Sequence, residues 1–337
     1  MVFLPRFFVE GYGCSLNKAD TEAIKGFLQQ NGFTQGTINN SDYVVVNTCA
    51  VKEQTENRML KRIRELHALS KKKEFRLIVF GCLPKISGKK ISEISKKIVQ
   101  LPPSLESLSK FFHLPEQPFS PSIAQARSNR FISIIPICRG CLGSCTYCSV
   151  KQARGPLKSY SIASLKKKFA QAVKEAPEVW LTAQDLACYG KDIGSSLPEL
   201  LQELLSVEGN YRVRLGMMNP AHLKPIANEM LECFQDKRLY KFLHLPVQSG
   251  SGKILKAMKR DYSPRDFLLL VKKFRSKVKG LTLSTDVIVG FPGETEKDFN
   301  ATVSLLEKVK PGICNISRFG ARPNTPAEKM PQQLHGR

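Results

Sequence analysis

Short apolar runs alternate with amphipathic helical patterns along most of this 337-residue chain. The alternation predicts parallel sheets, because parallel strands are joined by crossovers that usually contain a helix. In the first third of the chain, the predicted strands and helices are Phe7–Val9, Ala19–Gln30, Tyr43–Val46, Glu53–Ser70, Arg76–Phe80, Ile91–Ile98 and Leu105–Phe112. We therefore predict a parallel-sheet α/β domain over residues 1–113.

A second α/β series follows a stretch that is rich in proline. Residues 114–126 contain three prolines and two serines, and we predict a linker over 114–129. Six further strands are predicted at Phe131–Ile137, Glu178–Thr182, Tyr211–Met217, Lys241–Leu245, Leu281–Val289 and Ile313–Phe319. A complete eight-fold barrel needs roughly 250 residues. The sequence therefore predicts a six-unit (β/α) partial TIM barrel over residues 130–337.

Three cysteines just after the first barrel strand are spaced C-x3-C-x2-C: Cys141, Cys145 and Cys148. Cys thiolates hold [4Fe–4S] clusters, normally with four ligands. Three ligands leave one iron with an open position, and open metal sites are typical of catalysis, whereas closed sites are usually structural. The spacing therefore predicts an enzyme with a catalytic [4Fe–4S] cluster.

Cys138 extends the pattern to C-x2-C-x3-C-x2-C, which raises the alternative of a four-cysteine zinc site. Zinc ribbons usually separate their two C-x2-C pairs by many residues, but only Leu142, Gly143 and Ser144 lie between the pairs here. We favour Cys138 as a bystander at the end of its strand.

Three more cysteines lie at equivalent places in the first domain. Cys14, Cys49 and Cys82 each come just after a predicted strand. Ligands of open α/β sheets bind beyond the carboxyl ends of the strands, so these three cysteines are expected to meet at one edge. They predict a second three-cysteine [4Fe–4S] site, the alternative being three unrelated buried thiols. Cys188, Cys233 and Cys314 are interpreted as core thiols.

Polar side chains follow or end the other barrel strands, where barrels of this type carry their active-site residues. They are Thr182, Gln184, Asp185, Arg214, Asn219, Gln248, Ser249, Asp286 and Arg318. His113, His222 and His244 stand isolated in the sequence, and we expect them to be structural or solvated.

The composition limits the candidate binding partners of the protein and its cellular compartment. Lys and Arg number 52 against 29 Asp and Glu, a net charge of +23; this excess suits either solubility or a polyanionic partner such as nucleic acid. There is no apolar run of about 18 residues and no signal-peptide pattern. Ten cysteines without a secretory signal are typical of metal ligands or buried thiols in a reducing cytoplasm.

Together these motifs resemble the radical S-adenosylmethionine (SAM) superfamily, and more closely its methylthiotransferases. The N-terminal motifs of that family are similar to Gly11-Tyr-Gly-Cys14-Ser-Leu-Asn17, Asn47-Thr-Cys49-Ala-Val51 and Phe80-Gly-Cys82 here. Its radical domain is similar to Cys145-Thr-Tyr-Cys148 with Ala153-Arg-Gly155, His244-Leu-Pro-Val-Gln-Ser-Gly250 and Asp286-Val-Ile-Val-Gly-Phe-Pro-Gly-Glu-Thr295. Trp180-Leu-Thr-Ala-Gln-Asp185, Gly216-Met-Met-Asn-Pro220 and Ser317-Arg-Phe-Gly-Ala-Arg-Pro-Asn-Thr-Pro326 resemble the archaeal and eukaryotic branch, the MtaB or Cdkal type.

The resemblance implies a tRNA-modifying transferase with two [4Fe–4S] clusters. The family converts N6-threonylcarbamoyladenosine beside the anticodon to its 2-methylthio derivative. The cluster on Cys141, Cys145 and Cys148 is expected to bind and split SAM, giving a radical that abstracts the hydrogen on carbon 2. The auxiliary cluster on Cys14, Cys49 and Cys82 is expected to carry the transferred sulfur. By position, we expect cofactor contacts from Gln184, Arg214, Gln248 and Asp286, and an adenine contact from Tyr147.

The family usually ends in a small C-terminal β-barrel, the TRAM domain, and this sequence stops at Arg337 before any such pattern. We expect a monomer that receives electrons from a flavodoxin-like or ferredoxin-like donor. The alternatives are methylthiolation of a ribosomal protein side chain, as in the RimO branch, and a non-catalytic iron–sulfur or zinc protein that binds RNA.

Overall fold

The computed structural model describes residues 4–334 and divides them into two compact units. One unit consists of residues 4–130 with 149–155, and the other of 131–148 with 156–334. Arg337, the predicted end of the second domain, lies outside the described residues.

The first unit is built on one parallel sheet, with strands in the order β2-β1-β3-β4-β5. Its elements are β1 (Arg6–Gly11), α1 (Ser15–Gln30), β2 (Thr34–Gln35), β3 (Tyr43–Thr48), α2 (Glu53–Lys73), β4 (Arg76–Gly81), α3 (Cys82–Ile94), β5 (Val99–Leu101), α4 (Leu105–Phe112) and α5 (Val150–Arg154).

Helices cover both faces of this sheet, which explains why its central strands are continuously apolar. On β3, Val44 and Val46 pack into one core cluster, and Val45 packs into the cluster on the opposite face. All three valines have no exposed surface. The predicted parallel α/β fold is therefore confirmed for this unit.

The sequence misplaced one helix and missed two strands of the first unit. The helical pattern predicted over Ile91–Ile98 is wrong beyond Ile94, where α3 ends and the chain turns into β5. The edge strands β2 and β5 have only two and three residues. Strands of this length cannot show the alternation of apolar and polar residues by which strands are recognised in a sequence.

The proline-rich stretch 114–129 contains no helix or strand, yet it packs against the first unit. Phe119 and Ile123 are buried in the core cluster that also contains residues of α1. The helix α5, within the range predicted for the second domain, is grouped with the first unit, since Ala153 packs into its core.

The second unit contains all six strands that the sequence predicts for a partial barrel. Two three-stranded parallel sheets, β6-β9-β10 and β11-β12-β13, are joined by a parallel bridge between Val213 and Leu239. Its elements are β6 (Ile132–Pro136), β7 (Cys138–Arg139), β8 (Lys158–Ser159), α6 (Ile162–Glu175), β9 (Glu178–Thr182), α7 (Leu197–Leu205), β10 (Arg212–Leu215), α8 (Pro220–Leu223), α9 (Ala227–Cys233), β11 (Phe242–His244), α10 (Gly252–Ala257), α11 (Pro264–Lys277), β12 (Thr282–Val289), α12 (Glu296–Val309) and β13 (Ile313–Arg318).

Side chains of the barrel strands alternate between two faces, as the strand geometry requires. Val179 on β9 and Val213 on β10 are buried in the large core that the helices cover. Trp180 and Arg214, their neighbours along the chain, therefore point to the other face. Within residues 4–334, no helix has the length and apolar character needed to cross a membrane.

One carboxylate joins the starts of two helices in the second unit. Asp298 forms a capping box with Thr295 at the start of α12. Its Oδ1 also accepts a hydrogen bond of 2.6 Å from Ser251, whose hydroxyl caps α10. These bonds, that of Ser251 first, hold the pKa of Asp298 below its ordinary value of 3.8.

Replacing Asp298 by Asn should lower the free energy of unfolding by about 1–2 kcal/mol at neutral pH, because the caps weaken. A carboxyl group whose pKa is lower in the folded than in the unfolded protein stabilises the fold at pH values above its unfolded pKa. This stabilisation is lost as the pH falls towards the folded pKa. In urea unfolding, the difference from the unmodified protein should therefore shrink towards pH 3. Glu296→Gln, an exposed change in the same helix turn, is the control. A pH-independent difference would contradict this role of Asp298.

Candidate iron–sulfur and cofactor sites

The three strand-end cysteines of the first unit follow three neighbouring parallel strands. Cys14 lies between β1 and α1, Cys49 follows β3 at once, and Cys82 begins α3 directly after β4. Cys49 and Cys82 are buried and Cys14 is exposed. Burial first, and then the charges of the neighbouring thiols Cys14 and Cys82, raise the pKa of Cys49. The arrangement gives three thiols at one sheet edge, with one on the solvent side.

Two glycines give the chain the room to place these cysteines. Gly13 and Gly81 have φ angles of +108° and +106°, in the region that favours glycine. A Cβ on Gly13 would lie 2.5 Å from the Cβ of Cys49, and one on Gly81 would lie 2.6 Å from a backbone carbonyl. Any larger residue would therefore push into the space beside the cysteines.

A buried arginine lies beside the thiols of the first unit. Arg154, on α5, forms an ion pair of 2.9 Å with Asp20, and their side chains are 3% and 0% exposed. The same guanidinium donates to Asn17, whose own amide nitrogen donates to the carbonyls of Tyr12 and Thr48. Arg154 Nη1 is buried and has no hydrogen-bond partner among the residues that the structure describes. A positive group with a spare donor suits a neighbour that becomes negative.

Burial and the charge of Arg154 shift the pKa values of the thiols in opposite directions. Burial raises the pKa of Cys49 to about 11 and also raises that of Cys82. The positive charge of Arg154 acts the other way on Cys82 and favours the thiolate. Since thiolates are the metal-binding form, metal binding here must release protons. Three neighbouring thiols with a buried guanidinium beside them fit a cluster ligated by three cysteines.

The second triplet lies in a loop of the second unit that receives hydrogen bonds on sulfur. The Gly143 amide donates to Cys141 Sγ over 3.2 Å, and Arg260 Nη1 donates to Cys145 Sγ over 3.2 Å. A Cβ on Gly143 would lie 3.3 and 3.8 Å from these two sulfurs, so the sulfurs face the same spot. Hydrogen bonds to ligating sulfurs are a feature of iron–sulfur sites, and this donor set fits a three-thiolate cluster.

Thr146 anchors this loop to the end of α10. Its backbone amide donates to Met258 and its hydroxyl to Ala257, while its carbonyl accepts a bond from Ala327. Beside it, the ring of Tyr147 packs on the cluster of Ile254, Met258, Phe291 and Ala327. These contacts fix the positions of Cys145 and Cys148 on either side of the anchored pair.

Cys141 lies next to a hydrogen-bonded group that the sequence did not predict. Burial first, and then the charges of Asp185 and Cys188, raise the pKa of Cys141 to about 11. Asp185 accepts from the amides of Ala187 and Asn219 and pairs with His222. It thus joins the loops after β9 and β10 beside the triplet.

His222 and Cys188 both lie beside Asp185. His222 is not isolated, because folding brings it against Asp185 from 37 residues away. Cys188 is fully buried, as expected of a core thiol, and its thiol donates a hydrogen bond of 3.1 Å to the carbonyl of Asp185. Cys138 is also fully buried. Asp185, Cys188 and His222 place their ligand atoms within 4.8 Å of one another.

A row of side chains crosses the strands on the face opposite the helix-covered core. The guanidinium of Arg214 lies between two aromatic rings, 4.8 Å from Trp180 and 4.6 Å from Phe242. Burial lowers the pKa of Arg214, although the value stays far above neutrality for an arginine. The row thus presents a half-buried cation held by stacking.

The row continues to Asp286 on β12. His244 pairs with Asp286 over 3.0 Å, and Asn315 donates to the same carboxylate over 2.8 Å. His244, expected to be isolated, is therefore paired. The backbone N–H of Gln248 donates to the backbone carbonyl of Asp286. Gln248 has a φ of +68°, which is uncommon for a residue other than glycine and is often found at functional sites.

Three of the predicted cofactor-binding residues, Arg214, Asp286 and Gln248, are connected by side-chain and backbone contacts. Arg214 connects through Phe242 and His244 to Asp286, and Asp286 to Gln248. Gln184 follows β9, and in the described part of the chain its buried Oε1 has no hydrogen-bond partner, as in a side chain that awaits a ligand. The assignments of these residues and of Tyr147 stay predictions.

Comparison with known proteins first gives the class. Residues 135–306 match the radical SAM superfamily, and residues 6–101 match the family described as uncharacterized protein family UPF0004. The fold resembles that of the radical SAM methyltransferase TsrM from Kitasatospora setae, with a TM-score of 0.72 at 14% identity over 96% of this chain and 77% of that one. The cobalamin-dependent radical enzyme OxsB gives a TM-score of 0.63 at 12% identity, over 93% and 53% of the two chains.

The relatives in sequence give the particular family. A Methanocaldococcus jannaschii protein named "Probable threonylcarbamoyladenosine tRNA methylthiotransferase" is 41% identical over 97% of this chain and 78% of that protein. The threonylcarbamoyladenosine tRNA methylthiotransferase of Homo sapiens is 35% identical over 98% of this chain and 60% of that protein. The chain belongs to the threonylcarbamoyladenosine tRNA methylthiotransferase family, which confirms the resemblance found in the sequence.

Replacing Arg154 by Gln should destabilise the protein strongly, because it removes the guanidinium that neutralises Asp20. Breaking a buried ion pair at one partner costs roughly 3–5 kcal/mol, and urea unfolding of the cluster-free protein measures this loss. The matched control is Arg62→Gln, whose pair with Glu10 is partly exposed and should contribute at most about 1 kcal/mol. Equal losses in the two variants would refute the assigned role of the buried pair.

Proposed function

We propose that this protein transfers a methylthio group to carbon 2 of N6-threonylcarbamoyladenosine in tRNA. Two separate three-cysteine sites in one chain carry this proposal, since generic radical chemistry needs only one open cluster. As a member of its family, the protein is a transferase that uses SAM and two [4Fe–4S] clusters.

The residues of each site have separate tasks in this reaction. When bound, the clusters and SAM supply the sulfur and the one-electron chemistry that an unactivated adenine C–H bond requires. Cys14, Cys49 and Cys82 hold the auxiliary cluster, and the buried pair of Arg154 with Asp20 lies beside Cys82. Cys141, Cys145 and Cys148 hold the cluster that binds SAM.

The strand residues of the second unit orient the cofactor. Arg214 is cationic and held between two rings, which suits a carboxylate. Asp286 is held by His244 and Asn315 and offers acceptors for hydroxyl or ammonium groups, as do Gln184 and Gln248. Tyr147 lies between two ligating cysteines, beside the position that we assign to the adenine.

The partner of the protein is a tRNA that carries threonylcarbamoyladenosine. Its phosphates suit the excess of 23 positive charges, and a base in a single-stranded loop suits RNA recognition by splayed-out bases. The protein acts as a monomer in the cytoplasm, with a flavodoxin-like or ferredoxin-like electron donor.

Cysteine variants separate the two proposed sites. After anaerobic reconstitution, the protein should hold about eight irons, and Cys145→Ala and Cys49→Ala about four each. Cys145→Ala should release no 5′-deoxyadenosine from SAM, because the cofactor loses its cluster. Cys49→Ala should still cleave SAM but form no methylthio nucleoside. Chromatography with mass spectrometry measures both products.

Cys233→Ala is the control, because this cysteine is buried on α9, outside both sites. It should hold about eight irons and form both products. SAM cleavage by Cys145→Ala would refute the assignment of the radical site. A methylthio product from Cys49→Ala would refute the auxiliary site, and methylthiolation of a protein instead of tRNA would favour the RimO-like alternative.

Replacing Arg214 by Gln should weaken SAM binding by about 10-fold to 100-fold, as expected for a lost charge-assisted hydrogen bond. Calorimetry with the reconstituted protein measures the affinity. Arg212→Gln is the matched control, since Arg212 is exposed at the amino end of the same strand. Unchanged affinity in Arg214→Gln would remove Arg214 from the cofactor contacts.

A further inference from the structure

Arg260 is a buried arginine whose environment contains a cysteine sulfur instead of a carboxylate. It is 8% exposed, and Nη1 donates to Cys145 Sγ over 3.2 Å. Its Nε donates to the hydroxyl of Tyr262, on whose ring it stacks at 5.1 Å, and Nη2 donates to the carbonyl of Pro246. Among the described residues, none of the groups that contact Arg260 is a carboxylate.

The end of α10 directs Arg260 towards the cysteine loop. Lys259 adopts a φ of +51°, and the Arg260 amide then bonds back to the carbonyl of Leu255 over 2.9 Å. This is the backbone pattern by which helices commonly terminate. The same helix end accepts the two hydrogen bonds of Thr146. The turn therefore fixes the guanidinium and the cysteine loop relative to each other.

Burying a guanidinium without a carboxylate is costly unless another negative group compensates it. Tyr262 and Pro246 offer only neutral acceptors at neutral pH. A thiolate on Cys145, as in a ligated cluster, supplies the missing charge. A cluster ligated by Cys145 would therefore place negative charge directly on the contact that Arg260 makes over 3.2 Å.

We propose that Arg260 is a positioning residue that raises the reduction potential of the cluster on Cys141, Cys145 and Cys148. Hydrogen bonds to ligating sulfurs and the local net charge both set the potentials of iron–sulfur clusters. Reduction adds one negative charge, so a fixed cation and an N–H donor on Cys145 favour the reduced form. The inference rests on the proposed function only through the assignment of the three ligands.

The buried arginine of the first unit differs in this respect. Arg154 lies near Cys82, but Asp20 neutralises it over 2.9 Å. Arg260 keeps its full charge beside Cys145. Of the two clusters, the SAM-binding cluster is therefore the one whose reduction potential an arginine raises. A higher potential makes it easier for an electron donor to reduce this cluster before the cluster passes the electron to SAM.

The test is a redox titration of the full chain, followed by electron paramagnetic resonance. Replacing Cys14, Cys49 and Cys82 by Ala leaves one cluster to observe, and Arg260→Gln and Arg260→Lys are made in this background. Arg238→Gln and Arg238→Lys are matched controls, because Arg238 also stacks on a tyrosine at 5.1 Å but contacts no cysteine.

Arg260→Gln should retain about four irons and shift the midpoint potential to a more negative value, while both Arg238 variants leave it unchanged. Arg260→Lys keeps the charge but lacks the planar fork, so its potential should lie between those of Arg260→Gln and the parent. A potential of Arg260→Gln equal to the parent would overturn the inference.

If Arg260→Gln fails to bind iron, Arg260→Lys decides, and a parent-like potential in that variant overturns the inference. Cys145→Ala in the same background tests the ligand assignment separately. It should lose the cluster, and full iron content there would refute the assignment itself. An unmoved potential in the Arg260 variants would leave that assignment intact.

Discussion

In the first unit, three neighbouring parallel strands end at the same edge of the sheet, and a cysteine follows each end within three residues. The rest of this site depends on that constraint. Parallel strands are spaced about 4.8 Å apart, which brings thiols from distant parts of the sequence within reach of one metal cluster. Gly13 and Gly81 adopt positive φ angles where these strand ends crowd together, and a Cβ at either position would clash with its neighbours.

Thiolates collected in a protein interior place negative charge there, and a buried arginine lies beside the thiols in each unit. Arg154 is itself neutralised by Asp20, so the pair adds little net charge beside Cys82. Within residues 4–334, the hydrogen-bond partners of the Arg260 side chain are a phenol, a carbonyl and the sulfur of Cys145. The two sites thus use the same residue type with different compensation. This difference gives a physical reason for two clusters in one chain to behave differently towards an electron.

The proposed reaction needs one site that generates a radical and another that supplies sulfur. Both are built at the carboxyl ends of parallel strands, where α/β folds place their ligands. In the second unit, the strand ends also supply Arg214 and Asp286, held by stacking and hydrogen bonds. Side chains fixed in this way orient a cofactor with little loss of conformational entropy on binding.

The sequence by itself determined the two cysteine triplets, the two parallel α/β series and the family. Ligand spacing and strand periodicity are local patterns, so they can be found without knowing the fold. Only the tertiary structure decided that α5 packs with the first unit, that His222 pairs with Asp185 and that Arg260 contacts Cys145. The last contact spans 115 residues, and the ion pair of Arg154 with Asp20 spans 134. Such partners leave no periodic signal, because it is folding that brings their side chains together.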